Sequence, residues 1–212
     1  MFAWALVLPA AYSAWQPPEQ QQEATKPQEQ EEKSEKQGQK ELEEKACGPE
    51  KQKFWTKLDK TQHPAPEAPP DKALIYVLDP QAPGNVLTRH QRDMESRVGV
   101  DGRWVGANFT GGYFFFTLEA GEHYFCSRGN VKRPWGGSMG TYVLVLTVEA
   151  GRTYYLTQRA RGTVTHQTVY GPGSPPLSTT GYWFFPSLHV ADEETAKKDL
   201  EKSHLTVFGE RK

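Results

Sequence analysis

Cysteine is almost missing from this chain: Cys47 and Cys126 are the only two among 212 residues. Two cysteines are too few for a disulfide scaffold and leave room for one bridge. An excess of charge is missing too. Lysine and arginine number 25 against 26 acidic residues, a formal net charge of −1, so no global field draws the chain to nucleic acid or to an anionic membrane. The histidines, at 63, 90, 123, 166, 189 and 204, show no His-x-His or His-x-x-x-His spacing. A Walker loop and a dinucleotide fingerprint are likewise missing. Cys126 beside His123 invites a nucleophile pair, but residues three apart on a strand point to opposite faces. No catalytic residue, metal ligand or cofactor follows from these patterns, and the expectation is a protein that is not an enzyme.

What the chain does have is turn formers and aromatics. It carries 19 glycines and 16 prolines, and 12% of its residues are aromatic, which suits a turn-rich β domain. The stretch from Arg97 to Arg128 shows this best. Asp101-Gly102 is the dipeptide of a type I′ hairpin, where both central residues need positive φ. Glu119-Ala-Gly-Glu122 then separates Tyr113–Leu118 from Tyr124–Cys126, giving four short β segments. Ala73–Leu78 is a near-continuous apolar run and reads as a central strand. Thr141–Val148, Arg152–Thr157 and Leu205–Phe208 read as further strands, and Tyr182–Phe185 as one that Pro186 ends at an edge. Val86–Arg92 reads equally as a short strand or an irregular excursion, and 129–140 and 162–180 read as mostly loop. Ala191–Glu201 is the one clear helix, with acids first and lysines later. The fold expected is all-β: a β-sandwich of about seven to nine mostly antiparallel strands with one short C-terminal helix. Its central sheet is expected to combine Ala73–Leu78, Tyr113–Leu118 and Thr141–Val148.

Three segments are expected along the chain. Residues 1–15 look like the apolar and small-residue parts of a secretory signal, too short for a transmembrane helix. Residues 16–45 are Gln, Glu and Lys with almost nothing apolar, and read as a disordered spacer. Residues 46–209 read as the sandwich domain, entered through Phe54, Trp55 and Leu58 and the polyproline-like connector His63–Pro70. Cys47 lies too far beyond the apolar start to be a lipoprotein anchor. Export places the chain in an oxidising compartment, where Cys47 and Cys126 tend to pair and so clip the 47–70 segment to the sandwich. The alternative is two unrelated cysteines, with Cys126 a small buried hydrophobe.

Lys72-Ala-Leu-Ile-Tyr-Val77, Val100-Asp-Gly-Arg-Trp-Val-Gly106, Gly112-Tyr-Phe-Phe-Phe116, Ala120-Gly-Glu-His123 and Glu149-Ala-Gly-Arg-Thr-Tyr-Tyr155 follow one another before the helix Ala191–Leu200. In this order and spacing, residues 71–201 resemble the bacterial domain of unknown function DUF2846. The resemblance implies an exported or lipoprotein-type β-rich domain and brings no activity with it. Ala46-Cys-Gly-Pro49 and His123-Tyr-Phe-Cys126 resemble a subset of that family with an N-terminal extension, while Gly171–Pro176 has no place on the pattern.

The tempting ligand site is the Gly- and Trp-rich segment 128–140, where Arg128, Lys132 and Arg133 flank Trp135. A sugar or peptide would stack on Trp135, with Trp104 as a possible second platform, while the cations meet carboxylates. The competing reading is a connection whose Trp135 covers the sandwich edge, with Trp104 in the core. Asn108-Phe-Thr110 is a glycosylation sequon, inert in a bacterial source. The function expected is a non-catalytic, exported or envelope-associated domain with a binding or structural role. Its partner would be a protein or glycan of the envelope, with no nucleic acid and no transmembrane helix in the mature chain. The alternative is a carbohydrate- or peptide-binding module using loop tryptophans, and a hydrolase ranks behind both.

Overall fold

Alternating apolar and polar residues fold most of the chain into strands, which form two sheets packed as an all-β sandwich. The computed structural model describes residues 26–80, 94–131, 140–169 and 177–211. In chain order the first elements are α1 (Lys26–Ala46), β1 (Phe54–Asp59), β2 (Ala73–Asp79), β3 (Met94–Val100), β4 (Arg103–Phe109) and β5 (Gly112–Leu118). Then come β6 (Gly121–Val131), β7 (Thr141–Val148), β8 (Thr153–Val169), β9 (Leu177–Val190), α2 (Glu193–Lys202) and β10 (His204–Glu210). The larger sheet runs β1-β10-β5-β2-β8-β9 and the smaller β4-β3-β6-β7. Neighbours are antiparallel except β2 with β8 and β10 with β5. From Lys40 onward the chain forms one compact unit, and the part of α1 before it is described only as helix.

The apolar run Ala73–Leu78 is an interior strand of the larger sheet, between β5 and β8. All six residues are buried because both faces of the strand are covered. Ala73, Ile75 and Val77 meet Val98, Phe125 and Leu156 between the sheets. Leu74, Tyr76 and Leu78 point the other way, where Ala196 and Leu200 of α2 cover them. Asp192 caps α2 by accepting a hydrogen bond from the Thr195 amide at 3.0 Å, and Glu193 and Glu194 occupy the first turn.

Asp101 and Gly102 have φ of 49° and 78°, the pair of positive angles that a type I′ turn demands between β3 and β4. A second turn, with Gly111 at φ 84°, carries the chain from the smaller sheet into the larger. Asn108 pins this corner. Its side chain is fully buried, donates to the carbonyls of Val77 and Gly112, and accepts from the Phe109 amide and the Thr206 hydroxyl. Both amide protons and both oxygen lone pairs are used. The sequon at Asn108 is therefore a packing motif of the folded domain.

Several expectations change. Thr141–Val148 is a strand, but it is the last one of the smaller sheet and not part of a central sheet with β2 and β5. Tyr142, Leu144 and Leu146 pack inward and Val145 is 45% exposed, a pattern that shows a half-covered strand without showing which sheet it joins. Residues 26–45, expected to be disordered, are helical. Glu, Lys and Gln cannot bury surface, yet they are good helix formers, and Lys40 pairs with Glu44 one turn on. Phe54–Asp59 is a strand, bringing the described strands to ten, above the expected range. The loop expected over 162–180 is largely a hairpin, with β8 continuing to Val169 and β9 starting at Leu177. Pro186 lies inside β9, opposite Ala160, and is tolerated because β9 is the last strand of its sheet. The loop expected from 129 begins later, since β6 reaches Val131. Val86–Arg92, Gly171–Pro176, residues 1–15 and the first part of the expected spacer, 16–25, lie outside the described residues.

Truncation should rank the core positions. Ile75→Ala is expected to cost about 2–5 kcal/mol in urea unfolding, and Leu144→Ala, only partly buried, about 1–2 kcal/mol. Asn108→Ala should cost about 3 kcal/mol or more, because it strands two carbonyls and a hydroxyl in the interior. A cost below about 1 kcal/mol for both Ile75→Ala and Asn108→Ala would contradict the assigned faces.

Candidate functional site

Trp104 and Arg128, read from the sequence as ligand contacts, are engaged within the chain. A bulge in β4, where Gly99 pairs with Trp104 and Val98 with Gly106, puts Trp104 on the outer face of the smaller sheet beside Ala107 and Cys126. There it is only 8% exposed, its Nε1–H donates to the Pro49 carbonyl at 2.8 Å, and the Arg97 guanidinium lies 4.6 Å from its ring centroid. Arg97 also donates to the Gln52 carbonyl at 2.6 Å. Arg128 donates to the Glu50 carboxylate at 2.9 Å. Cys47 and Cys126 form a disulfide with their Cα atoms 5.2 Å apart. Gly48 is tightly held under this cover: a Cβ there would come within 2.4 Å of Trp104. These residues clamp the segment 46–52 to the sheet. Trp135 and Arg133 lie outside the described residues.

His123 and Cys126 part company, as the strand geometry requires. The His123 ring meets the Asp101 carboxylate through Nδ1 at 2.6 Å and the Glu119 carbonyl through Nε2 at 2.9 Å. Both partners are acceptors, so the doubly protonated ring fits best. Burial pulls its pKa down, but the Asp101 hydrogen bond, the Glu119 carbonyl and the Asp101 charge outweigh it and leave the ring above the usual 6.5. A ring with both nitrogens occupied is a turn lock and a poor general base. His189 goes elsewhere, its ring edge-on to Tyr142 at 5.6 Å.

A concave site lies on the other outer face, over the larger sheet. The Tyr76 hydroxyl donates to the Pro66 carbonyl at 2.9 Å and the Tyr113 hydroxyl to the Pro64 carbonyl at 3.0 Å. Together they strap the proline-rich connector across the sheet. Connector, α2 and the start of β8 then enclose a groove of about 620 Å³. Tyr76 and Tyr155 form its floor, their rings stacked 5.4 Å apart and only 2% and 7% exposed. Burial pushes Tyr76 up to about 12, with Tyr155 and Tyr113 adding to it, and Tyr155 is raised by burial while Lys197 pulls it down. Both hydroxyls therefore keep their protons at neutral pH. The Tyr155 hydroxyl takes no hydrogen bond among the described residues.

Glu67, Glu193 and Glu201 stand on the groove walls with a single lysine, Lys197, whose ammonium is held by Glu193 at 2.7 Å. Glu67 and Glu201 have no ion-pair partner among the described residues. The sequence reading nominated none of these residues. Tyr76 and Tyr155 share the outward parity of two adjacent strands, which was the one available signal. A further acid, Asp79 at the end of β2, is pushed up to about 7 by burial against the pull of Arg159.

No cluster of three His, Cys, Asp or Glu side chains among the described residues is placed to hold a metal, and no described helix is long and apolar enough to cross a membrane. No family model, curated protein or solved structure matches this chain.

The His123 lock makes a pH prediction. A folded pKa above the unfolded one stabilises the domain fully below about pH 6.5, and that contribution is lost as pH rises through the higher folded value. Asp101→Asn keeps the turn, since Asn also accepts positive φ, but removes the charge. Its cost should be at most about 1 kcal/mol below pH 6 and should shrink toward pH 8.5 in urea titrations. A pH-independent cost would contradict the ion pair.

Proposed function

We propose that this chain is an exported, non-catalytic binding domain, held to the envelope or its surroundings by partners and not by a membrane span. The observation that carries this reading is the Cys47–Cys126 disulfide, built into the packing of the smaller sheet beside the fully buried Ala46. A structural bridge of this kind persists in an oxidising compartment and is rare in the reducing cytosol. The signal-like residues 1–15 and the DUF2846-like order of motifs point the same way. The groove over Tyr155 supports a binding role better than the tryptophans do, because Trp104 is spent on holding the 46–52 segment. Its partner on this reading is a component of the envelope.

Fractionation with non-reducing peptide mass mapping tests the proposal. Expressed in a bacterial host, the full chain is expected outside the cytoplasm with the Cys47 and Cys126 peptides joined. Deleting residues 1–15 should leave it inside with free thiols. The bridge closes a loop with a sequence separation of 79, and reduction should lower unfolding stability by about 2–4 kcal/mol. Cytoplasmic retention of the full chain, or free thiols after export, would overturn the reading.

A further inference from the structure

We infer that the exposed face of the β1/β10 pair binds an acidic polysaccharide, with a sugar ring stacked on Trp55 and its carboxylates held by Lys53, Lys57 and Arg211. This rests on reading the chain as a binding domain, names a partner class for it, and uses a surface separate from the groove over Tyr155. Three observations carry it. First, Trp55 is an uncovered platform. Alternation along β1 buries Phe54 and leaves Trp55 43% exposed. Its indole rests on Gly209, the residue opposite, where a Cβ would come within 2.7 Å of the ring. No ring, cation or hydrogen-bond partner among the described residues engages it. Second, the cations around it are uncommitted. Lys53 and Lys57 are exposed two residues to either side, about 7 Å along the strand. Arg211 continues β10 opposite Lys53, whose carbonyl accepts from the Arg211 amide at 2.8 Å. None of the three has an ion-pair partner among the described residues. The acid of matching parity, Asp59, already accepts from the Thr61 amide and hydroxyl, and Glu210 pairs with Phe54 and takes the opposite parity. Third, Val207 is 38% exposed opposite Lys57 and extends the apolar surface beside the ring.

Other readings fit worse. β1 is the last strand of its sheet, and lysines guard such edges against pairing with another chain. That accounts for Lys53 and Lys57 but not for a bare indole backed by a glycine. A membrane surface is met by apolar side chains that stand clear of the fold and insert, whereas this indole rests on its own sheet. A nucleic acid calls for a longer basic track and a field to gather it, and the net charge of the chain is −1. A pyranose presents C–H groups on one face, which suit the electron-rich face of the indole, and an acidic sugar adds the carboxylates that free ammonium and guanidinium groups attract.

Calorimetry on the purified, oxidised full chain provides the test, with oligogalacturonate, a neutral dextran oligosaccharide, oligothymidylate and anionic phospholipid vesicles as probes. Oligogalacturonate is expected to bind with a dissociation constant of about 0.1–1 mM at low salt, weakening at physiological salt. The neutral oligosaccharide should bind at least about tenfold more weakly. Trp55→Ala should weaken oligogalacturonate binding about tenfold, and Lys53→Gln with Lys57→Gln about fivefold. Both changes are at exposed positions, and circular dichroism melts of the variants verify that they fold. No binding of oligogalacturonate, equal binding of the neutral sugar, or binding unmoved by these substitutions overturns the inference. Tighter binding of oligothymidylate or of the vesicles also overturns it, in favour of nucleic acid or membrane. Sedimentation that shows a dimer dissolved by Trp55→Ala overturns it in favour of a second copy of the chain. An export failure in the fractionation experiment leaves these outcomes untouched, so the two readings fail separately.

Discussion

One side-chain amide joins the two sheets. Asn108 lies where the chain leaves the smaller sheet for the larger, and its four hydrogen bonds reach β2, β5 and β10 as well as its own backbone. The interior cannot supply water to a buried carbonyl, so each of these bonds is costly to leave unmade. The amide thereby fixes where β4 stops and β5 begins. Close packing reinforces it: a Cβ on Gly112 would come within van der Waals overlap of both the Thr206 hydroxyl and the Asn108 oxygen. That corner sets the register of β5 against β2, and with it the face on which Tyr76 and Tyr113 emerge.

The two outer faces of the sandwich are then used differently. Over the smaller sheet, α1 ends at Ala46 and the next residues are bridged, hydrogen-bonded and stacked in place by Cys126, Trp104, Arg97 and Arg128. Even so, Arg97 Nε stays buried there without a hydrogen-bond partner among the described residues. Over the larger sheet, two tyrosine hydroxyls hold connector carbonyls, His63 packs against the Tyr113 ring, and α2 contributes Ala196 and Leu200. That cover leaves a groove in which Glu67 and Glu201 have no ion-pair partner among the described residues. Both covers leave concave surface, about 470 Å³ beside Cys47 and Arg128 and about 620 Å³ over Tyr155.

Local signals were legible in the sequence, and assembled ones were not. Asp101-Gly102 announced its turn because only a few residues tolerate two positive φ angles. Ala73–Leu78 announced an interior strand because only two-sided burial suits such a run. The disulfide followed from there being just two cysteines and an export-like start. Thr141–Val148 was legible as a strand, but its sheet depends on pairing with β6, which periodicity does not encode. A strand tryptophan such as Trp104 reads alike as a ligand platform or as packing, and the structure places it beneath Pro49. The groove was hidden because its walls come from three separate segments, around Glu67, Tyr155 and Lys197, each unremarkable alone.

The parallel pairings have a consequence for the order in which the molecule assembles. The smaller sheet is built from neighbours in sequence, β3 with β4 and β6 with β7, and closes its hairpins locally. The larger sheet waits: β2 gains its second neighbour only when Thr153 is available, and β1 gains any neighbour only through β10. Contacts of such long separation make folding slow. During synthesis Phe54 therefore emerges early and stays unpaired until His204 and the residues after it have left the ribosome. Nearly the whole chain must exist before the sheet is complete. A lesion at the C-terminal end would be felt first at the opposite end of the sequence.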